Sequence, residues 1–176
     1  MVTDSEKYPI GSFQANFQPT LQERQDDIDQ ISELVVHLKE AVYSFHPDDW
    51  QKSYRDGGWT IHQIVHHLAD NDMNAYLRFK RALTEQNPIA ASYREELWAE
   101  LADYSDVPLQ LSISLLEALH KRFYVLLASL QPEQFSKTLV TSALGSITLD
   151  IALQRFIWHH RHHLAHIVSV KERYSL

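Results

Sequence analysis

In the last quarter of the chain, Leu149, Ala152, Phe156, His159, His163, His166 and Val170 follow one another at intervals of 3, 4, 3, 4, 3 and 4 residues. Side chains at this spacing fall on one stripe of an α-helix. The stripe is apolar at both ends and imidazole in the middle. A helix over about Thr148 to Glu172 therefore has to turn three histidines toward whatever it packs against. Leaving a buried polar group without a partner costs on the order of 1–3 kcal/mol. The partners must come either from hydrogen-bonding groups in the core or from a shared metal ion.

The rest of the chain divides at its prolines. Ile28, Ile31, Val35, Leu38, Val42 and Phe45 advance in steps of three and four from a helix start at Thr20–Leu21, and Pro47 ends the run. Thr60 is a good N-cap for a second helix to about Glu85, with Ile61, Ile64, Val65, Leu68, Phe79 and Leu83 on its apolar side and Asn87-Pro88 as the stop. A third helix follows Pro108, with Leu109, Ile113, Leu116, Phe123, Leu127 and Leu130 in register and His120 filling one step. Gln131-Pro132 stops it. A short helix is expected around Tyr93 to Leu101 in the connection between the second and third helices, and a loop or hairpin over Thr138 to Ser146. The first 19 residues, with Pro9, Gly11 and Pro19, have no helical period and read as an extended arm. The expected fold is all-α, an up-down-type four-helix bundle over residues 20–176 with that arm at residues 1–19.

The 176 residues carry a formal net charge of -7 and no cysteine. Lys and Arg are interspersed with Asp and Glu, which argues against a nucleic-acid surface. Without cysteine there is no disulfide, no thiolate metal site and no cysteine nucleophile. The start MVTDSEKYPIG has no apolar signal region and no window approaches a membrane span. The expected location is the cytoplasm, with no membrane and no nucleic acid among the partners.

Five of the 11 histidines lie between His159 and His166. Neighbours at i, i+4 on a helix have Cβ atoms about 5–6 Å apart, close enough for His159 and His163 to share one ion. A ligand from another helix is then needed. His67 shares a stripe with Thr60, Ile64, Asn71 and Asn74, whereas His66 points about 100° away, toward the outer face. The expected set is thus His67, His159 and His163, with His160 and His162 turned to solvent or a helix flank. His62 with His66 is a pair that chance alone supplies. Trp59 and Trp158 suit a core or a pocket wall, and His120 the bundle interior.

The segments YRDGGWT and IVHHLADNDMNAYLRFK, ending at Lys80, resemble the second helix of the DinB/YfiT-like metalloproteins, and WHHRHHLAHI, from Trp158 to Ile167, resembles their final-helix metal motif. YPIG and LLEALHKRF also fit, so the resemblance covers most of the chain. It implies a four-helix bundle, often homodimeric, holding one divalent ion, zinc first and nickel second, on His67, His159 and His163. Many members carry a further polar residue three positions after the last ligand. Here that place is His166, which would be a fourth ligand or a group behind the ligands. The resemblance implies a metal-dependent hydrolase, while relatives transfer low-molecular-weight thiols such as bacillithiol.

Three chemistries fit these residues. In hydrolysis of a small-molecule substrate, three neutral nitrogens leave a position open, with Asp70, Asp72 and His166 as candidate bases or supporting groups. In S-transfer, a small thiol supplied as cofactor would take the open position. In the third, His166 closes the site and the metal only stabilises the bundle.

Overall fold

The computed structural model describes residues 3–176. Four long helices dominate: α2 (Leu21–Tyr43), α3 (Ile61–Thr84), α6 (Leu109–Ala128) and α7 (Leu149–Tyr174). The arm carries one helical turn, α1 (Asp4–Lys7), and the connection from α3 to α6 holds two short helices, α4 (Glu95–Trp98) and α5 (Ala102–Asp106). Between α6 and α7 lies a hairpin of β1 (Thr138–Thr141) and β2 (Gly145–Thr148), paired antiparallel with Thr138 opposite Thr148.

Local chemistry sets the helix starts. Thr20 and Thr60 each close a capping box, Thr20 with Glu23 and Thr60 with Gln63, and the Thr148 hydroxyl accepts from the Ile151 amide. Two otherwise orphaned amides at the end of α2 and of α3 are satisfied in this way. Asn87 leaves the helical path with a φ of 45°, and Pro88 prevents resumption.

Two apolar clusters stack along the bundle. One joins Ile28 and Ile31 of α2, Phe79 of α3, Phe123 and Leu127 of α6, and Leu149, Leu153 and Phe156 of α7. The other joins Leu38 and Val42 of α2, Ile61 and Ile64 of α3, Leu109 and Ile113 of α6, and Ile167 and Val170 of α7. Helices α2 and α7 therefore run from the first cluster to the second, and α3 and α6 run back. Arg24 and Asp150, near the N-termini of α2 and α7, form a bidentate pair at 2.6 and 2.9 Å, as parallel helices allow.

The class is the expected four-helix bundle, and its connectivity departs from a simple up-down order at one step. Helices α3 and α6 are parallel, so residues 85–108 must travel back along the whole bundle. Each of α2 and α3 packs mainly on α6 and α7, which sets the two on opposite corners. The crossover is pinned as it goes. Ala90 N–H donates to the Val140 carbonyl at 2.7 Å and Val140 N–H to the Pro88 carbonyl at 3.0 Å, fixing it to the hairpin. Tyr104 then donates to Asp70 at 2.7 Å. The arm lies along α7, where the Asn16 amide donates to Gln154 Oε1 at 2.8 Å and Phe13 packs on Trp158.

Phe123 is fully buried and meets Phe79, Tyr76 and Phe156 edge-on, whereas Leu115 on the same helix is 41% exposed. Phe123→Ala should cost about 3–5 kcal/mol by leaving a cavity, and Leu115→Ala less than about 0.5 kcal/mol. Urea unfolding of the two variants beside the parent checks the contrast. Equal losses would mean the first cluster is not the core.

Candidate metal centre

Between the two apolar clusters, α3, α6 and α7 all turn polar. Asp72, His120, His159, His160 and His163 occupy this level, with His67 just below it on α3. The layer contains two separate groups of three side chains with potential ligand atoms within 4.8 Å of one another: His67 with His159 and His163, and Asp72 with His120 and His160.

In the first group the three rings face one another. His67 Nε2 and His159 Nε2 are 3.3 Å apart, and the ring centroids are 4.6–5.2 Å apart. Two nitrogens each about 2.0–2.1 Å from a common ion in a tetrahedral set stand about 3.3–3.4 Å apart, so the spacing suits zinc-type ligation. The rings are also in the right protonation state. Burial foremost lowers the pKa of His67 to about 4 and pushes His159 and His163 well below the usual imidazole range; neighbouring rings add to this. Neutral imidazoles have no proton to give up to a cation. Nδ1 of His67 and Nδ1 of His163 are buried with no hydrogen-bond partner, so these rings are not held by a hydrogen-bonded core. The donor set fits a divalent ion.

The neighbours of this cluster differ in part from those expected. The Asn71 side-chain amide meets His159 Nδ1 at 3.2 Å, and the Trp59 ring lies 4.5 Å from that of His67. The nearest carboxylate is Glu95, at 3.9 Å from His67 Nε2, delivered by the crossover. Burial raises its pKa, Glu96 adds to the rise, and Arg155 opposes it. His166 and Asp70 bond elsewhere. His166 Nε2 donates to the Lys7 carbonyl at 3.2 Å and its ring stacks on Tyr54 at 3.8 Å. Asp70 accepts from Tyr104.

The second group is bonded differently. Asp72 Oδ2 accepts from His120 Nε2 at 2.7 Å and from His160 Nε2 at 2.5 Å. These are hydrogen-bond lengths, shorter than the separation of two ligands on one ion. Burial opposes the Asp72 charge, but the two rings together hold its pKa well below the usual carboxylate range. This group is a cross-tie between α3, α6 and α7, which removes Asp72 as a base for the site.

Several histidines off the metal stripe are buried against neighbouring elements. His160 is 2% exposed because α7 is covered on its flank by α3 through Asp72 and by α6 through His120. His162 is covered by Tyr8 of the arm and by Trp158. His66 is bonded to Ser112 Oγ and the Val107 carbonyl, and His62 to the Tyr104 carbonyl, because the end of the crossover lies over that face of α3.

A cavity of about 480 Å³ opens onto His67, His159 and His163, walled by Trp59 and Trp158. Its other lining includes Glu95, Tyr93, Arg78 and Arg155, none of them singled out by sequence. Arg155 stands four residues before His159, and Arg78 continues the steps His67, Asn71, Asn74. That helical spacing was the available signal. Tyr93 and Glu95 lie on the crossover and had none.

The model of the DinB superfamily matches residues 29–167. A protein of Oceanobacillus iheyensis named "putative metal-dependent hydrolase" is 44% identical over 169 residues, 96% of this chain and 98% of its own. One of the same name from Bacillus cereus is 44% identical over 168 residues, 95% of this chain and 96% of its own. The solved structure of YfiT from Bacillus subtilis, described as a probable metal-dependent hydrolase with an unusual four-helix bundle topology, superposes with a TM-score of 0.93 at 37% identity. It covers 97% of this chain and 98% of its own.

Burial of neutral imidazoles has a pH signature. The unfolded His67 titrates at 6.5 and the folded one at about 4, so below pH 6.5 the unfolded chain binds protons that the folded one refuses. In metal-free protein the stability should be fully present above pH 6.5 and fall by up to about 3 kcal/mol for this ring as pH drops toward 4. Urea unfolding in EDTA between pH 7.5 and 4.5 measures it, and His67→Gln should flatten the slope. A profile that is level in the parent would contradict the burial of neutral rings.

Proposed function

The chain belongs to the DinB superfamily, and we propose that it is a metal-dependent hydrolase of small molecules whose ion is held by His67, His159 and His163. The observation that carries this reading is the convergence of three neutral, buried imidazoles on the wall of an open cavity. Zinc suits three nitrogens in this setting first, and nickel second. A divalent ion held there supplies a Lewis acid and brings the pKa of a bound water toward ~7.

The chain's own residues do the rest. Asn71 orients the His159 ring through its Nδ1. Trp59, against His67 and His163, keeps bulk water from one side of the cluster. Glu95 is the carboxylate nearest the cluster and, with its pKa raised by burial, is suited to take a proton from an attacking water and return it to the leaving group. Its reach across 3.9 Å leaves room for the small movement that substrate binding brings. His166 is engaged by the Lys7 carbonyl, which favours three ligands and an open fourth position over a closed structural site.

Elemental mass spectrometry on untagged protein tests the ion: about one zinc or nickel per chain, lost in His163→Ala. An ion-free parent, even after incubation with both metals, would end the proposal. With a substrate in hand, Glu95→Gln should lower kcat by roughly 10²–10⁴-fold and leave the metal content unchanged. An unaltered kcat would remove Glu95 from the chemistry.

A further inference from the structure

The cavity that reaches the three histidines has a second, cationic end. Helices α3 and α7 are antiparallel, so Arg78, eleven residues after His67, and Arg155, four before His159, lie toward the same end of the cavity. Arg155 and His159 share a helix face with Cβ atoms about 5–6 Å apart. Two guanidinium groups thus line one cavity. They also act on each other: burial foremost disfavours the charged form of Arg78, Tyr93 opposes it, and the charge of Arg155 adds a smaller push in the same direction as burial.

Such a pair ordinarily sits with carboxylates. Among the described residues neither Arg78 nor Arg155 forms an ion pair, although Arg24, Arg81, Arg94 and Arg173 each do. Arg78 is fixed by its Nη2, which donates to the Ala91 carbonyl at 2.6 Å, while its Nε is buried with no partner. Tyr93 Oη and Trp158 Nε1 line the same cavity from the crossover and from α7, and both are likewise buried with no partner. Solvent would ordinarily satisfy an arginine at a cavity rim. Here three residues that line one cavity, from three elements, each keep a donor atom without a partner.

We propose that Arg78 and Arg155, with Tyr93 and Trp158, form an oxyanion-binding subsite. The ligand is then a small molecule carrying a carboxylate or phosphate at one end and the bond to be cleaved at the other. Planar guanidinium forks match either oxyanion with paired hydrogen bonds. The orientation of the cleaved bond rests on the hydrolase reading of the histidine cluster; the anion subsite itself stands on the arginines and their unpaired neighbours. In a chain of net charge -7, the subsite selects anions locally against the field of the surface.

Isothermal titration of the protein as purified, with inorganic phosphate and with succinate as probes, tests the subsite. Arg78→Gln and Arg155→Gln should each weaken binding by about tenfold or more, with metal content and melting temperature as controls on folding. Arg155→Lys should recover part of the loss. The probe that binds more tightly tells phosphate from carboxylate. His163→Ala, which removes a proposed metal ligand, should hold the probes within about threefold of the parent if they sit on the arginines. Binding lost in His163→Ala and kept in both Arg→Gln variants would seat the anion at the histidines and overturn the subsite. So would the absence of any binding to the parent. In the parent itself, without substitution, the Arg78 Nε–H resonance should shift on titration with the tighter probe, and a stationary signal would also count against it. A parent that holds no metal yet binds the probes through its arginines would end the hydrolase reading and leave the subsite standing.

Discussion

The Asp72 carboxylate, held between His120 and His160, fixes the level at which three of the four long helices meet. A fully buried charge is tolerated only where its partners are close and well oriented, and removing one partner of such a set typically costs about 3–5 kcal/mol. Asp72 is 0% exposed, and its two partners come from α6 and α7. Sliding either helix by one residue would strand the charge, so the cross-tie sets register where apolar packing alone would tolerate slippage. The cluster of His67, His159 and His163 inherits that register. His159 adjoins His160 on α7, and the Asn71 amide, next to Asp72, donates to Asp72 Oδ1 and meets His159 Nδ1, each at 3.2 Å.

The two groups of the polar layer have opposite electrostatics, and this divides their roles. Around Asp72 the negative charge is already matched by hydrogen-bond donors, so nothing remains for a cation to bind. Around His67, His159 and His163 burial keeps the rings neutral, and the carboxylate that reaches them, Glu95, is half-exposed. Desolvation, which is a cost at the first group, suits the second to a cation, because it keeps the imidazoles neutral. The same layer therefore contains a structural tie and a binding site built largely from one type of side chain.

Helical spacing made the bundle and the choice of His67, His159 and His163 legible, because period and stripe are properties of a single helix. The contrast between His67 and His66 came from the same source. The stripe left His160 between solvent and a helix flank, because a position one residue off it is exposed on a helix covered from one side and buried on a helix covered from two. Which holds for α7 depends on α6, through His120. Direction escaped as well. The segment 85–108 is long enough to join α6 to α3 either way round, and only the assembled clusters show that it returns along the bundle. Tyr93 and Glu95 carried no period to read, since their place in the cavity comes from the pinning of the crossover at Val140 and Tyr104.

That return path explains why the site is a cavity and more than a seam of histidines. In a bundle whose neighbouring helices alternate in direction, short loops close the ends. Here α3 and α6 are parallel, so the connection must run along the bundle, and it does so beside the flank where His67 faces His159. In passing it sets Glu95 against the cluster and Tyr93 beside Arg78, while the hairpin that anchors it adds Leu139 and Ile147 to the wall. The helices supply rigid ligands and guanidinium groups at fixed axial spacing. The crossover brings Glu95 and part of the enclosure, on a segment held by backbone hydrogen bonds to the hairpin, by the Tyr104–Asp70 hydrogen bond and by Ala90 in the first apolar cluster. Substitutions in the bundle should therefore act on stability and on the ion together, whereas substitutions between Ala90 and Glu95 can reshape what the cavity accepts without disturbing either.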